Sequence, residues 1–167
     1  MRTQSLEDFC NWIEQTSLSQ AVQSNAWVVP TVQTIHILAI AAVLVSTLLI
    51  NLRLLNLSGN DMSVSRLLDR YQPIIWKSLP ILLVTGLLLI AGEPARSLAN
   101  DVFQLKMLLL LGVIALMVVV RGHVRKDSSY YDPGRGHRGQ ANLFALTSLA
   151  LWVGIVCAGR WIAYTYS

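Results

Sequence analysis

Three side chains stand where apolar helices rarely keep them. His36, Lys106 and Arg160 each lie inside a long apolar block, and Glu93 sits at the edge of another. An ionisable group in bilayer hydrocarbon costs roughly 2.5–3.5 kcal/mol on insertion scales, so each needs a reason. Gln33 precedes His36 by one helical turn, Cys157 precedes Arg160 by another, and Met107 follows Lys106 directly. Lysine and arginine supply hydrogen-bond donors, and histidine takes or gives a proton near neutral pH. Together they suit an anionic or quinone-like headgroup. Histidine with a methionine or cysteine sulfur is instead a donor set for a soft metal such as Cu(I). The expected ligand-binding set is His36, Gln33, Glu93, Lys106 and Arg160, with His36, Met107 and Cys157 as the metal alternative. Each has a plainer structural role beside it. His36 can form an interhelical hydrogen bond, Lys106 and Arg160 can reach outward to the interface, and Cys157 can be a small packing residue.

Other chemistry is less well supported. A bis-histidine haem needs two histidines facing each other at one depth. Counting at about 1.5 Å per residue places His36 and His123 roughly 20 Å apart along the membrane normal, and His137 falls in a loop. Bis-His haem is therefore disfavoured, and quinone or copper are the cofactors the pattern admits. There is no GxSxG, HExxH or P-loop, so an enzyme in its own right is not indicated. There is also no CxxC or CxxCH, and Cys10 and Cys157 lie too far apart in environment to suggest a disulfide.

Positioning these side chains falls to four apolar spans. The chain is 54% hydrophobic and only 13% charged, about half the charge of a soluble domain, which excludes a water-soluble globule and a disordered chain. The spans run over about 26–50, 73–92, 103–120 and 142–164, each near the roughly 20 residues that cross a bilayer. Pro30 falls in the first turn of its span, and Pro80 is an expected kink. The N-terminal residues, about 5–24, read as an amphipathic surface helix, with Leu6, Phe9, Cys10 and Ile13 on one face and Ser5–Asp8 as a capping pair. They contain no signal-peptide apolar core, so the first span is expected to act as an uncleaved insertion signal.

Basic residues fix an expected orientation. Arg53, Arg66, Arg70 and Lys77 flank one connection, and Arg121, Arg125, Lys126, Arg135 and Arg138 another, which is nine of the 13 lysines and arginines. Only Arg2, Arg96, Lys106 and Arg160 belong to the other side. The positive-inside rule puts the nine in the cytoplasm and both termini in the periplasm of a bacterial inner membrane, with no nucleic-acid role for the net charge. Trp27, Trp161 and Tyr164 mark the outer interface, and Tyr71 and Trp76 the inner one. In this frame His36, Lys106 and Arg160 lie about 4, 8 and 10 Å outward of the midplane. Small residues at Ala150, Gly154 and Ala158, and at Ala42 and Ser46, form expected helix-packing seams. The stretch SSYYDPGRGHRGQ reads as a flexible, turn-rich connector.

Five segments carry a resemblance: PTVQTIH (Pro30–His36), LRLL (Leu52–Leu55), TGLLL (Thr85–Leu89) with Glu93-Pro94, FQLKM (Phe103–Met107) and GRWIAY (Gly159–Tyr164). Over nearly its whole length the chain resembles a family of small bacterial inner-membrane proteins of undefined function. More distantly it looks like the membrane part of copper-resistance protein D. That family usually shows Asp before LRLL and Gly after it, where this chain has Asn51 and Asn56. The resemblance implies a four-helix membrane domain and singles out His36, Glu93, Lys106 and Arg160.

The expectation is an all-α, four-transmembrane-helix bundle over residues 1–167, with a short N-terminal amphipathic surface helix. Its expected function is a non-catalytic subunit or binding protein with an outward-facing polar pocket for a quinone, lipid headgroup or other small ligand. An electron-transfer assembly is one setting for it. Metal handling through His36 and a purely structural role in a larger complex are the alternatives. The expected partners are the lipid bilayer and membrane-complex subunits.

Overall fold

The structure, a computed structural model, describes residues 2–57, 62–94, 98, 100–131 and 137–161, with side chains from residue 8 on apart from residue 101. Arg96, Arg135 and Tyr164 lie outside the described residues, as do the side chains of Arg2, Ser5, Leu6 and Glu7. The helices are α1 (Arg2–Glu14), α2 (Ser17–Ser24), α3 (Val28–Leu54), α4 (Val64–Gly92), α5 (Asp101–Lys126) and α6 (Arg138–Trp161), and the described residues contain no strand. The fold is all-α. Four of its helices, α3 to α6, are long and apolar enough to cross a membrane, which makes this a multi-pass membrane protein.

The long helices outrun the apolar stretches that announce them. α4 begins well before Pro73, because Ser63 caps it by accepting from the Arg66 N–H and because Val64, Leu67 and Leu68 bury against the core. Both Pro73 and Pro80 then lie inside α4. α5 continues past Val120 to Lys126, with Val124 buried, and α6 starts at Arg138. Hydropathy marks the stretch that crosses hydrocarbon, whereas caps and flanking core contacts set where a helix ends.

The end of α3 shows this most clearly. Leu57 N–H donates to Leu52 C=O and Asn56 N–H to Arg53 C=O, the two bonds of a Schellman stop. Such a stop needs a left-handed residue, and Asn56 supplies it with φ 60. Arg53 is buried and ties the turn down, its Nε donating to Met62 C=O (2.6 Å) and its guanidinium to Asn56 Oδ1 (2.9 Å). Arg53 is therefore a structural staple as well as a topological charge.

The N-terminal segment forms two helices. α1 starts at Arg2, ahead of the Ser5–Asp8 pair expected to cap it, so that pair sits inside the helix. The chain breaks after Glu14, and Thr16 caps α2 by accepting from the Ser19 N–H. α2 then packs on the end of α4. Ser19 Oγ donates to Ala91 C=O in the last turn of α4, and Val22 lies over Gly92.

α3 and α4 form one antiparallel hairpin and α5 and α6 a second. The hairpins join mainly through α3 against α6, while α4 and α5 touch only lightly. Gly112 lies under Leu151 and Gly154 under Leu109, so small residues do seat α5 on α6. Ala150, one turn earlier on α6 and expected in that seam, is exposed. Large buried side chains fill the end next to the basic connections and the middle of the bundle: Ile50 and Leu54 of α3, Leu68 and Ile75 of α4 and Val120 of α5 toward those connections, and Val43 of α3, Val113 of α5 and Trp152 of α6 near mid-helix. In the other half, nearer the N-terminus, the buried positions of the four long helices among the described residues are mostly small, Ala39, Thr85, Ala91, Gly92 and Ala158, together with Ile155.

Candidate functional site

His36 lies in this small-residue half, about 12 Å along α3 from its start. Its Nδ1 is 2.7 Å from Thr85 Oγ1 on α4. The Thr85 hydroxyl in turn donates to Ile81 C=O at 2.6 Å, one turn back on its own helix. A carbonyl oxygen only accepts, so the single hydroxyl hydrogen is committed to Ile81. The His36 Nδ1–H must then be the donor to Thr85. This fixes the neutral ring as the Nδ1–H tautomer and leaves the Nε2 lone pair without a hydrogen-bond partner among the described residues. Gly86 lies beside the ring: a Cβ there would stand 3.6 Å from His36 Cε1, an ordinary van der Waals contact.

Lys106 projects from the second turn of α5 and is half-buried. Its ammonium rests against α6, 3.6 Å from where a Cβ on Gly159 would stand. Lys106 and His36 interact electrostatically across the bundle. Among the described residues no carboxylate pairs with Lys106.

The structure thus joins His36 to Thr85 and sets Lys106 against Gly159 of α6, with His36 and Lys106 within electrostatic reach of each other but on helices that do not pack together. Gln33, one turn before His36, is exposed. Glu93 follows the last turn of α4 and Arg160 lies next to Gly159, and both are exposed. Met107 is exposed beside Lys106. Cys157 is exposed and lines an apolar groove of about 260 Å³ between α3 and α6, with Leu44, Leu48, Trp152 and Val156 among its walls. No group of three or more His, Cys, Asp or Glu side chains suited to a metal ion occurs among the described residues.

Thr85 had one sequence signal, a hydroxyl within a leucine run, and no spacing rule connects it to a histidine 49 residues away. The family model for a family of unknown function, DUF6644, matches residues 9–165. This chain belongs to the DUF6644 family. Neither the curated proteins nor the solved structures offer a match to it. The matched range of this DUF6644 chain takes in all four long helices and every residue of the His36–Lys106 group.

A second cluster lies at the opposite end of the bundle. Tyr130 stacks on His123 (5.0 Å between ring centroids) and on His137 (4.0 Å), and Tyr131 stands edge-on to Tyr130 and to Phe144. Tyr130 Oη donates to Gln140 Oε1, and Tyr131 Oη shares a hydrogen bond of 3.0 Å with His123 Nδ1. Burial, with the Tyr130 phenol beside it, pushes the Tyr131 hydroxyl up to about 12. The described part of the expected flexible connector is therefore a packed aromatic plug. Its two tyrosines and His137 bury against His123 and Phe144 because stacked rings lose apolar area to water together.

Proposed function

We propose that this protein is a non-catalytic binding protein or subunit of the bacterial inner membrane, with both termini periplasmic. Its outward-facing site, centred on His36 and Lys106, holds the polar headgroup of a membrane-borne small ligand of the quinone or lipid type. One observation carries this reading. A histidine lone pair and a lysine amine on different helices, both without a hydrogen-bond partner among the described residues, lie within electrostatic reach of each other at membrane depth. In hydrocarbon an unsatisfied polar group costs several kcal/mol, so two such groups from different helices call for a shared partner. The light contact between α4 and α5 gives a headgroup a lateral approach. Gln33, Glu93 and Arg160 form the outer rim. Arg53, Arg66, Arg70, Arg121, Arg125, Lys126 and Arg138 at the opposite end support the orientation.

The same lone pair favours a second use. Nε2 is a metal-ligating atom, and Met107 adjoins Lys106, so copper handling is the alternative consistent with the distant likeness to copper-resistance protein D. Extraction of the purified protein followed by mass spectrometry, with metal analysis of the same sample, separates the two. The expected result is a co-purifying quinone or lipid at near-stoichiometric amount. Charged and polar headgroup contacts of this kind make it fall about tenfold or more in His36→Ala and in Lys106→Ala. Copper at unit stoichiometry, lost in His36→Ala and retained in Lys106→Ala, would move the assignment to the metal.

A further inference from the structure

The hydrogen-bond direction at His36 limits what the site can accept, and this step rests on the site proposed above. With Nδ1–H donating to Thr85, the neutral ring presents only a lone pair at Nε2. A quinone carbonyl is also an acceptor, and two lone pairs facing each other repel. A hydroxyl brings the missing hydrogen. Lys106 has the opposite character: its amine donates, so it needs an oxygen acceptor.

We propose that the His36–Lys106 site selects a membrane-borne ligand that donates a hydroxyl hydrogen to His36 Nε2 and offers an oxygen acceptor to Lys106. A hydroquinone meets this demand and the corresponding quinone does not. A glycerol headgroup on an anionic phosphodiester presents the same pair of features, hydroxyl and charged oxygen, from a lipid source. Thr85 is the positioning residue: its hydroxyl, held by Ile81 C=O, dictates which ring nitrogen carries the proton. A site built to hydrogen-bond a hydroxyl rejects the analogue lacking it, because a buried polar atom is left unpaired.

The test uses the full chain in phosphatidylcholine nanodiscs at fixed neutral pH, without oxygen. A decyl-chain benzoquinol and its benzoquinone are titrated in one arm, and phosphatidylglycerol replaces part of the phosphatidylcholine in the other. The expected result is about tenfold or greater preference for benzoquinol over benzoquinone, for phosphatidylglycerol over phosphatidylcholine, or for both. The responding arm identifies the source. Thr85→Val keeps the side-chain shape and removes the acceptor, so the ring can carry its proton on Nε2 and the preference collapses toward unity. Thr85→Ser restores it. Equal or tighter benzoquinone binding, sensitive to His36→Ala and Lys106→Ala, would overturn the selectivity while leaving the site in place. A preference unchanged in Thr85→Val would overturn the positioning role. Binding of none of these probes would remove both the selectivity and the site.

Discussion

Single residues in this chain carry roles that their types alone leave open. Asn56 is the clearest case. It closes α3 in a left-handed conformation and receives the Arg53 guanidinium. Glycine takes that conformation without strain, in keeping with the glycine that the family resemblance places there. Asn56→Val should destabilise the protein by about 1–2 kcal/mol through the left-handed strain, with further loss from the missing Arg53 contact, whereas Asn56→Gly should fall well short of that. Thermal unfolding in detergent, compared across the two variants, checks this. Asn51 shows a related substitution. Its Nδ2 donates to Ser148 Oγ across α3 and α6, a bond that an ionised aspartate at that place could not donate. At His36 the chemistry depends on one hydroxyl of another helix. The histidine itself was legible in the sequence as an ionisable group in an apolar span. Its tautomer was not, because Thr85 is distant in sequence and its hydrogen-bond direction follows from helix register.

At the scale of elements, periodicity and hydropathy located the four long helices, but not their ends or their unequal packing. α3 and α4 bury large aliphatic residues toward the basic end, where α6 contributes Ala141, Ala145 and Ser148, and the opposite half is built mostly on alanine, threonine and glycine, with Ile155 of α6. The sequence contains those small residues, yet only the assembled helices reveal that they share one half. Gln72 on α4 is a polar exception within the large-residue core. It is fully buried, and neither of its amide atoms has a hydrogen-bond partner among the described residues. Burying an unpaired amide costs about 1–3 kcal/mol, and an apolar side chain of similar volume removes that cost. Gln72→Leu should therefore raise the unfolding temperature in the same assay. A fall instead would show that a polar group, such as a bound water, satisfies the amide in the bilayer. The N-terminal segment was legible as amphipathic, but not as two helices with α2 seated on α4, since the Ser19–Ala91 bond joins residues 72 apart.

For the whole molecule, two hairpins meeting along α3 and α6 produce an asymmetric object. One end is closed by a stapled turn at Arg53 and Asn56 and by the aromatic plug around Tyr130. The other carries His36, bonded to Thr85, with Lys106 within electrostatic reach of it. That division suits a protein anchored by a rigid end that presents a headgroup site at the opposite one. Nitrogen-15 NMR of histidine-labelled protein in nanodiscs, with His36→Ala to assign the resonance, tests this most directly. His36 should show a protonated Nδ1 and an unprotonated Nε2, and the Nε2 signal should move toward the hydrogen-bonded range when benzoquinol or phosphatidylglycerol is added, with no movement in Lys106→Ala. A proton resident on Nε2, or an Nε2 signal indifferent to both additions, would contradict the assignment of this site.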